Sequence, residues 1–139
     1  MNIVFDTGVI VDILQKREPF YENAFVLLMA ISNRKISGII TAKSFNDIYY
    51  ILRIKMNEEN VRKSLKTIFE LFDIVDTCAI DCELALTAQM ADYEDAIMVE
   101  TAKRLKADGI VTRNIKDYVT EEIRVFSPEE LSNLIANLS

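Results

Sequence analysis

Four carboxylates stand where the chain can gather them: Asp6, Asp47, Asp95 and Asp117. Asp6 follows directly on the apolar run "NIVF". Asp117 comes shortly after a second such run, "GIVT". Asp95 falls in the first turn of a segment whose Met98, Ala102 and Leu105 form an apolar stripe, which turns the acid toward the buried side. Asp47 sits early in a segment with Phe45, Ile48, Tyr49 and Leu52 on one face. Carboxylates that share a site repel unless a cation lies among them. Oxygen-only sets of this kind suit magnesium or manganese. Each acid also has a structural reading: Asp6 as a helix cap, Asp95 as a charge at a positive helix start, Asp47 as a solvated helix residue, and Asp117 as an Asx-turn residue.

The elements that must position these acids can be read from periodicity. "NIVF", "SGII", "FDIVD", "GIVT" and "IRVF" read as short strands. Between them lie helical patterns. "VIVDILQKR" opens one, and "PFYENAFVLLMAISNRK" a second with Pro19 in its first turn. "TAKSFNDIYYILRIK", "EENVRKSLKTIFELF" and "DCELALTAQM" follow. "DYEDAIMVETAKRLKAD" is capped by Asp92, and "SPEELSNLIANL" by Ser127 with Pro128 in the first helical position. Strands alternating with helices predict a three-layer α/β/α fold around a parallel sheet of four or five strands. In such sheets ligands bind beyond the carboxyl ends of the strands, at the point where strand order reverses. Asp6 and the stretch "TRNIKD" both sit at carboxyl ends.

Composition narrows the chemistry. The 139 residues fit one domain, residues 1–139, with one core. No histidine occurs, so serine–histidine and cysteine–histidine hydrolysis is excluded. The formal charge of −6 argues against a sequence-independent nucleic-acid coat, whose affinity comes from neutralising phosphates. It leaves room for a nuclease, because bound divalent cations reverse the charge of an acidic site. Cys78 and Cys82 cannot build a zinc site alone and are expected to be reduced packing residues. No signal peptide or membrane span is legible, and a cytoplasmic protein is expected.

Two blocks resemble a known family. "NIVFDTGVIVDIL" looks like the opening strand–Asp–Thr–Asn motif of PIN domains. "DYEDAIMVETAKRLKADGIVTRNIKDY" looks like their C-terminal half, where an acid-rich helix start leads to a strand, Thr-Arg-Asn, and an Asp followed by an aromatic. The resemblance spans the chain and implies a Mg²⁺- or Mn²⁺-dependent endoribonuclease like the toxins of VapBC-type toxin–antitoxin pairs. The implied partners are an RNA substrate, an antitoxin protein and a second copy of the chain. By position, the four catalytic acids would be Asp6, Asp47, Asp95 and Asp117, with Asp6, Asp95 and Asp117 on the metal. Thr7, Asp92, Thr112 and Asn114 would support them, and Arg113 and Lys116 would meet substrate phosphates. Two positions depart from the pattern: Asp47 stands where a glutamate is usual, and Gly8 where an asparagine is usual.

Three other readings follow from the same residues. A haloacid-dehalogenase-type phosphatase needs a second Asp where Gly8 stands, and a receiver-type domain needs adjacent acids near the start. The remaining alternative is a non-catalytic PIN-like module that binds RNA or protein. The basic residues Arg53, Lys55, Arg62, Lys63 and Lys66 form either a phosphate-binding surface or ordinary solvated helix faces.

Overall fold

A computed structural model describes residues 1–118 and 120–138. The order is β1 (Asn2–Phe5), α1 (Thr7–Gln15), α2 (Tyr21–Ser32), β2 (Ser37–Thr41), α3 (Ala42–Arg53), α4 (Glu58–Leu71) and β3 (Asp73–Val75). Then come α5 (Ala79–Ala85), α6 (Tyr93–Arg104), β4 (Gly109–Val111), a 3₁₀ turn (Ile115–Asp117), β5 (Val125–Phe126) and α7 (Pro128–Ala136). The five strands form one sheet in the order β3-β2-β1-β4-β5, and every pairing is parallel.

Side chains of a strand alternate between faces, so a central strand must be apolar throughout when both faces are covered. β1 meets that demand: Ile3, Val4 and Phe5 are all fully buried. Ile3 and Phe5 join the larger core with residues of α1, α2, α3, α4 and α7. Val4 joins the smaller one with Ile39, Ile110 and the α6 residues Met98, Val99 and Ala102. The layers are therefore unequal, and α5 packs against α6. At Gly38 a Cβ would come within 2.6 Å of Ile31 Cδ1 and of the Phe72 ring, so the bare backbone lets α2 and Phe72 close on β2.

The five predicted strands and seven helices are all present. Two boundaries differ. α2 begins at Tyr21, because Phe20 and Tyr21 donate to Arg17 O at 3.0 and 2.7 Å and make a turn that takes Pro19 out of the helix. α5 stops at Ala85 rather than running on toward Met90. Both predicted caps of the later helices hold: Asp92 accepts from Asp95 N–H at 3.0 Å, and Ser127 from Glu130 N–H at 3.1 Å. Among the described residues, no helix is long and apolar enough to cross a membrane.

Strand order reverses at β1, whose neighbours are β2 and β4. The carboxyl ends of these three strands carry Asp6, Thr41 and Thr112. That edge is where the acids meet.

Candidate metal centre

Asp6 does two jobs at once. It is the N-cap of α1, with Oδ1 accepting from the Thr7 N–H at 2.9 Å. Its other oxygen, Oδ2, accepts from the Thr112 hydroxyl at 2.7 Å, across the β1–β4 junction. The Asp6 N–H donates to Val111 O at 3.0 Å, which continues the ladder to the last residue before the helix. The cap and the candidate ligand are thus one residue, and its carboxylate is aimed by both elements.

A cleft of about 390 Å³ opens there. Asp6, Thr7, Asp47, Glu94, Asp95 and Tyr118 line it. Asp95 is the most perturbed of these acids. Burial, followed by the charges of Asp92 and Asp6, pushes its carboxyl up to about 6; Asp117 adds to the rise and the Tyr118 hydroxyl opposes it. Tyr118 is itself buried, and its hydroxyl faces Asp95 without completing a well-formed hydrogen bond. Burial and the nearby Asp6 and Asp95 charges raise that phenol further, so it stays protonated. Among the described groups that act on Asp95 most strongly, none is a cation.

Asp47 lines the same cleft in a different state. Lys43 Nζ reaches its Oδ2 at 2.7 Å and Glu94 Oε2 at 3.0 Å, bridging α3 to the start of α6. Burial would lower the Lys43 ammonium, but the two carboxylates outweigh it and raise it. Lys43 is the one basic side chain among the cleft's lining residues. It lies one helical turn before Asp47, and that spacing was the available sequence signal for the pair.

The remaining predicted residues lie around this cleft rather than in it. Asp92 caps α6, and Asp117 is exposed in the 3₁₀ turn; both act on Asp95 through their charge. Thr112 is fully buried, and its hydroxyl accepts from the Asn114 N–H at 3.1 Å. Lys116 is exposed beside Asp117. Arg113 is turned away from the cleft: its Nε lies 2.7 Å from Asp12 Oδ2, and its guanidinium stacks 4.0 Å from the Phe20 ring centroid. Gly8 lies beneath that guanidinium, where a Cβ would meet Nη2 at an ordinary 3.6 Å. On the outer helices the basic residues pair locally, Arg53 and Arg62 with Glu58 and Lys63 with Glu59.

A hard divalent cation fits this donor set in kind. Asp95 is an anion partly withdrawn from water with acids on several sides, which a bound cation would relieve. The fit in number is partial: among the described residues, no three acids already surround a common point. Magnesium commonly keeps several waters and takes only one or two carboxylates, a demand that Asp6 and Asp95 can meet.

Comparison with known proteins agrees with this architecture. The chain superposes on FitAcB from Neisseria gonorrhoeae with a TM-score of 0.71 at 18% identity, covering 91% of this chain and 98% of that one. A toxin–antitoxin complex from Klebsiella pneumoniae gives 0.67 at 22% identity, with 91% and 97% covered. VapC20 from Mycobacterium tuberculosis, a sarcin–ricin loop cleaving toxin, gives 0.64 at 8% identity, with 88% and 98% covered. A search of curated proteins gave no match. The PIN domain family profile matches residues 2–116, most of the chain and three of the four candidate acids, all but Asp117. On that match, and with the sheet order and the acidic cleft in agreement, the chain belongs to the PIN domain family.

Proposed function

We propose that the chain is a Mg²⁺- or Mn²⁺-dependent endoribonuclease and the toxin of a toxin–antitoxin pair. The observation that carries this reading is Asp95, half-buried beside Asp92, Asp6 and Asp117, with no cation among the described groups that act on it most strongly. Asp6 and Asp95 would hold the ion, with Asp117 and Asp47 completing the site or orienting its waters. Bound there, the ion supplies positive charge against the phosphodiester oxygens and makes water a competent nucleophile near neutral pH, without a histidine. Thr112 and the Thr7 N–H hold the Asp6 carboxylate in place. Tyr118, buried and protonated, lines the cleft beside Asp95. Lys43, on the cleft wall and paired with Asp47, would draw in a substrate phosphate and in doing so release Asp47.

The partners follow from the same reading. The structural relatives include toxin–antitoxin complexes, which supports an antitoxin for this chain. Phe25, Val26 and Met29 on α2, Tyr50 on α3, Ile54 just past its end and Phe69 on α4 expose 40–79% of their surface. Apolar exposure of that kind favours protein contacts, here a homodimer, which a monomeric mass in sedimentation at micromolar concentration would refute.

Asp95→Asn tests the chemistry. It should reduce Mn²⁺-dependent cleavage of a labelled single-stranded RNA by more than about a hundredfold, beyond what loss of an outer partner costs. In chelator the variant should melt at or above the wild-type temperature, because repulsion is relieved. Full cleavage by the variant refutes the ligand role. Wild-type RNA binding without cleavage would favour a non-catalytic RNA- or protein-binding module, the reading that the Lys43–Asp47 pairing supports.

A further inference from the structure

Asp12 is fully buried in α1, inside the apolar run that covers the sheet. Burial raises its carboxyl, with Arg113 and then Arg17 opposing the rise. The contact with Arg113 Nε is short, at 2.7 Å, but neither Asp12 oxygen nor that N–H finds a well-aligned hydrogen bond. As a stabilising device this is a poor one: a buried ion pair is commonly matched or bettered by apolar residues of the same size. Its location is more telling than its strength.

Thr112 and Arg113 are adjacent, and both grip α1. Thr112 holds the N-cap Asp6 at 2.7 Å. Arg113 holds Asp12, six residues further along the same helix, or about 9 Å at 1.5 Å per residue. Between the two grips the guanidinium lies over Gly8, and its other face is covered by Phe20 at the start of α2. We propose that the Asp12–Arg113 pair is a positioning clamp, which fixes the segment carrying Thr112, Asn114, Asp117 and Tyr118 in register with Asp6 and Asp95. Two attachment points on one rigid helix fix a segment's direction as well as its distance, which one hydrogen bond does not. Arg113 then acts on the metal site through Thr112 and Asp117, and its charge is used on Asp12. The functional meaning of the clamp rests on the metal-site reading of the cleft; its mechanical part does not.

The test separates the two. Asp12→Asn and Arg113→Gln remove the pair. Arg113→Lys keeps the charge but loses the planar stack on Phe20. Ile68→Val, at a buried position of α4, serves as a control for general destabilisation. Hydrogen exchange of the folded proteins should show faster exchange confined to residues 112–118 in the two pair-breaking variants, a smaller increase in Arg113→Lys, and none there in Ile68→Val. Titration with Mn²⁺ alone should show affinity weakened roughly tenfold or more by the pair-breaking variants, with partial rescue by Arg113→Lys. Unchanged exchange in 112–118, or an increase spread evenly over the fold, overturns the clamp. Normal Mn²⁺ affinity despite local loosening overturns its role at the site. Wild type that binds no Mn²⁺ refutes the metal reading itself, and exchange alone then decides the clamp. Should Asp12→Asn fail to fold, Arg113→Lys against Ile68→Val gives the same comparison.

Discussion

Asp81 and Asp95 occupy the same place in two neighbouring helices and meet opposite fates. Each is the third residue of its helix, α5 for one and α6 for the other. Asp81 is almost wholly buried, yet everything around it is a donor: the Cys78 N–H at 2.8 Å, the Thr101 hydroxyl at 3.2 Å and Arg104 Nε at 3.0 Å. Burial pushes its carboxyl up, but Arg104, the Cys78 N–H and Thr101 together hold it below the usual range. Asp95 faces Asp92, Asp6 and Asp117, and is pushed up to about 6. A buried acid surrounded by donors fastens α5 to α6. One partly buried among acids carries a cost in the free protein that a bound cation would offset.

The contrast is sharpened most by removing the partnered acid. Asp81→Ala strips a cap and leaves buried donors unmet, and should cost about 2 kcal/mol in chemical denaturation. RNA cleavage at temperatures where the variant is folded should stay near wild type. If cleavage fell as far as in Asp95→Asn, the division of labour between the two acids would be wrong.

A smaller effect is expected from pH. The folded protein holds the Asp95 proton more tightly than the unfolded chain, so the penalty from its charge is absent below the ordinary value of 3.8 and grows as pH rises to about 6. Asp81 runs the other way: its contribution is present above 3.8 and is lost as pH falls through its lowered folded value. In chelator, the melting-temperature advantage of Asp95→Asn over wild type should therefore open between 3.8 and about 6 and stay constant above. Mn²⁺ affinity of the wild type should rise over the same interval, because metal and proton compete for one carboxylate. An advantage already complete at the acid end would show that the charge of Asp95 is not what burdens the fold.

Lys43 should give the smallest change in stability. Its two ion pairs are well exposed, and Lys43→Gln should move stability by no more than about 0.5 kcal/mol. The same variant should weaken RNA binding across sequences and lower the salt slope of affinity by about one. An unchanged slope would mean that Lys43 serves Asp47 and Glu94 rather than the substrate.

Periodicity was enough for the sheet, because each strand is short, apolar and flanked by helical patterns that leave few other arrangements. It also sufficed to bring Asp6, Asp47 and Asp95 to one edge, since each stands at the end of an element that the topology aligns. What it could not separate was Asp81 from Asp95. Both are acids in a first helical turn, and the difference lies in Thr101 and Arg104, which reach Asp81 from another helix. Arg113 was opaque for a similar reason. Beside Asn114 and Lys116 it reads as a cation for substrate phosphates, and only the packing of α1 and α2 shows its contacts with Asp12 and Phe20. Asp12 carried a signal of its own, an acid inside "VIVDIL", since an ionised group in an apolar run needs a partner from elsewhere.

The pairing of β1 with β4 has a consequence for the order in which the molecule comes into being. Asp6 and Thr112 are 106 residues apart, and their hydrogen bond closes a loop that includes most of the chain. During synthesis from the N-terminus, β1 and β2 can pair early, while the far side of β1 waits for residues 109–111. Until then Asp6 lacks its Thr112 partner, Tyr118 has not reached Asp95, and no complete cleft can exist. The closing step is also the one with the largest loop entropy to overcome, so it belongs late in refolding as well. A ribosome making this chain would meet a fragment with three of the four candidate acids and no complete cleft until the C-terminal strands arrive.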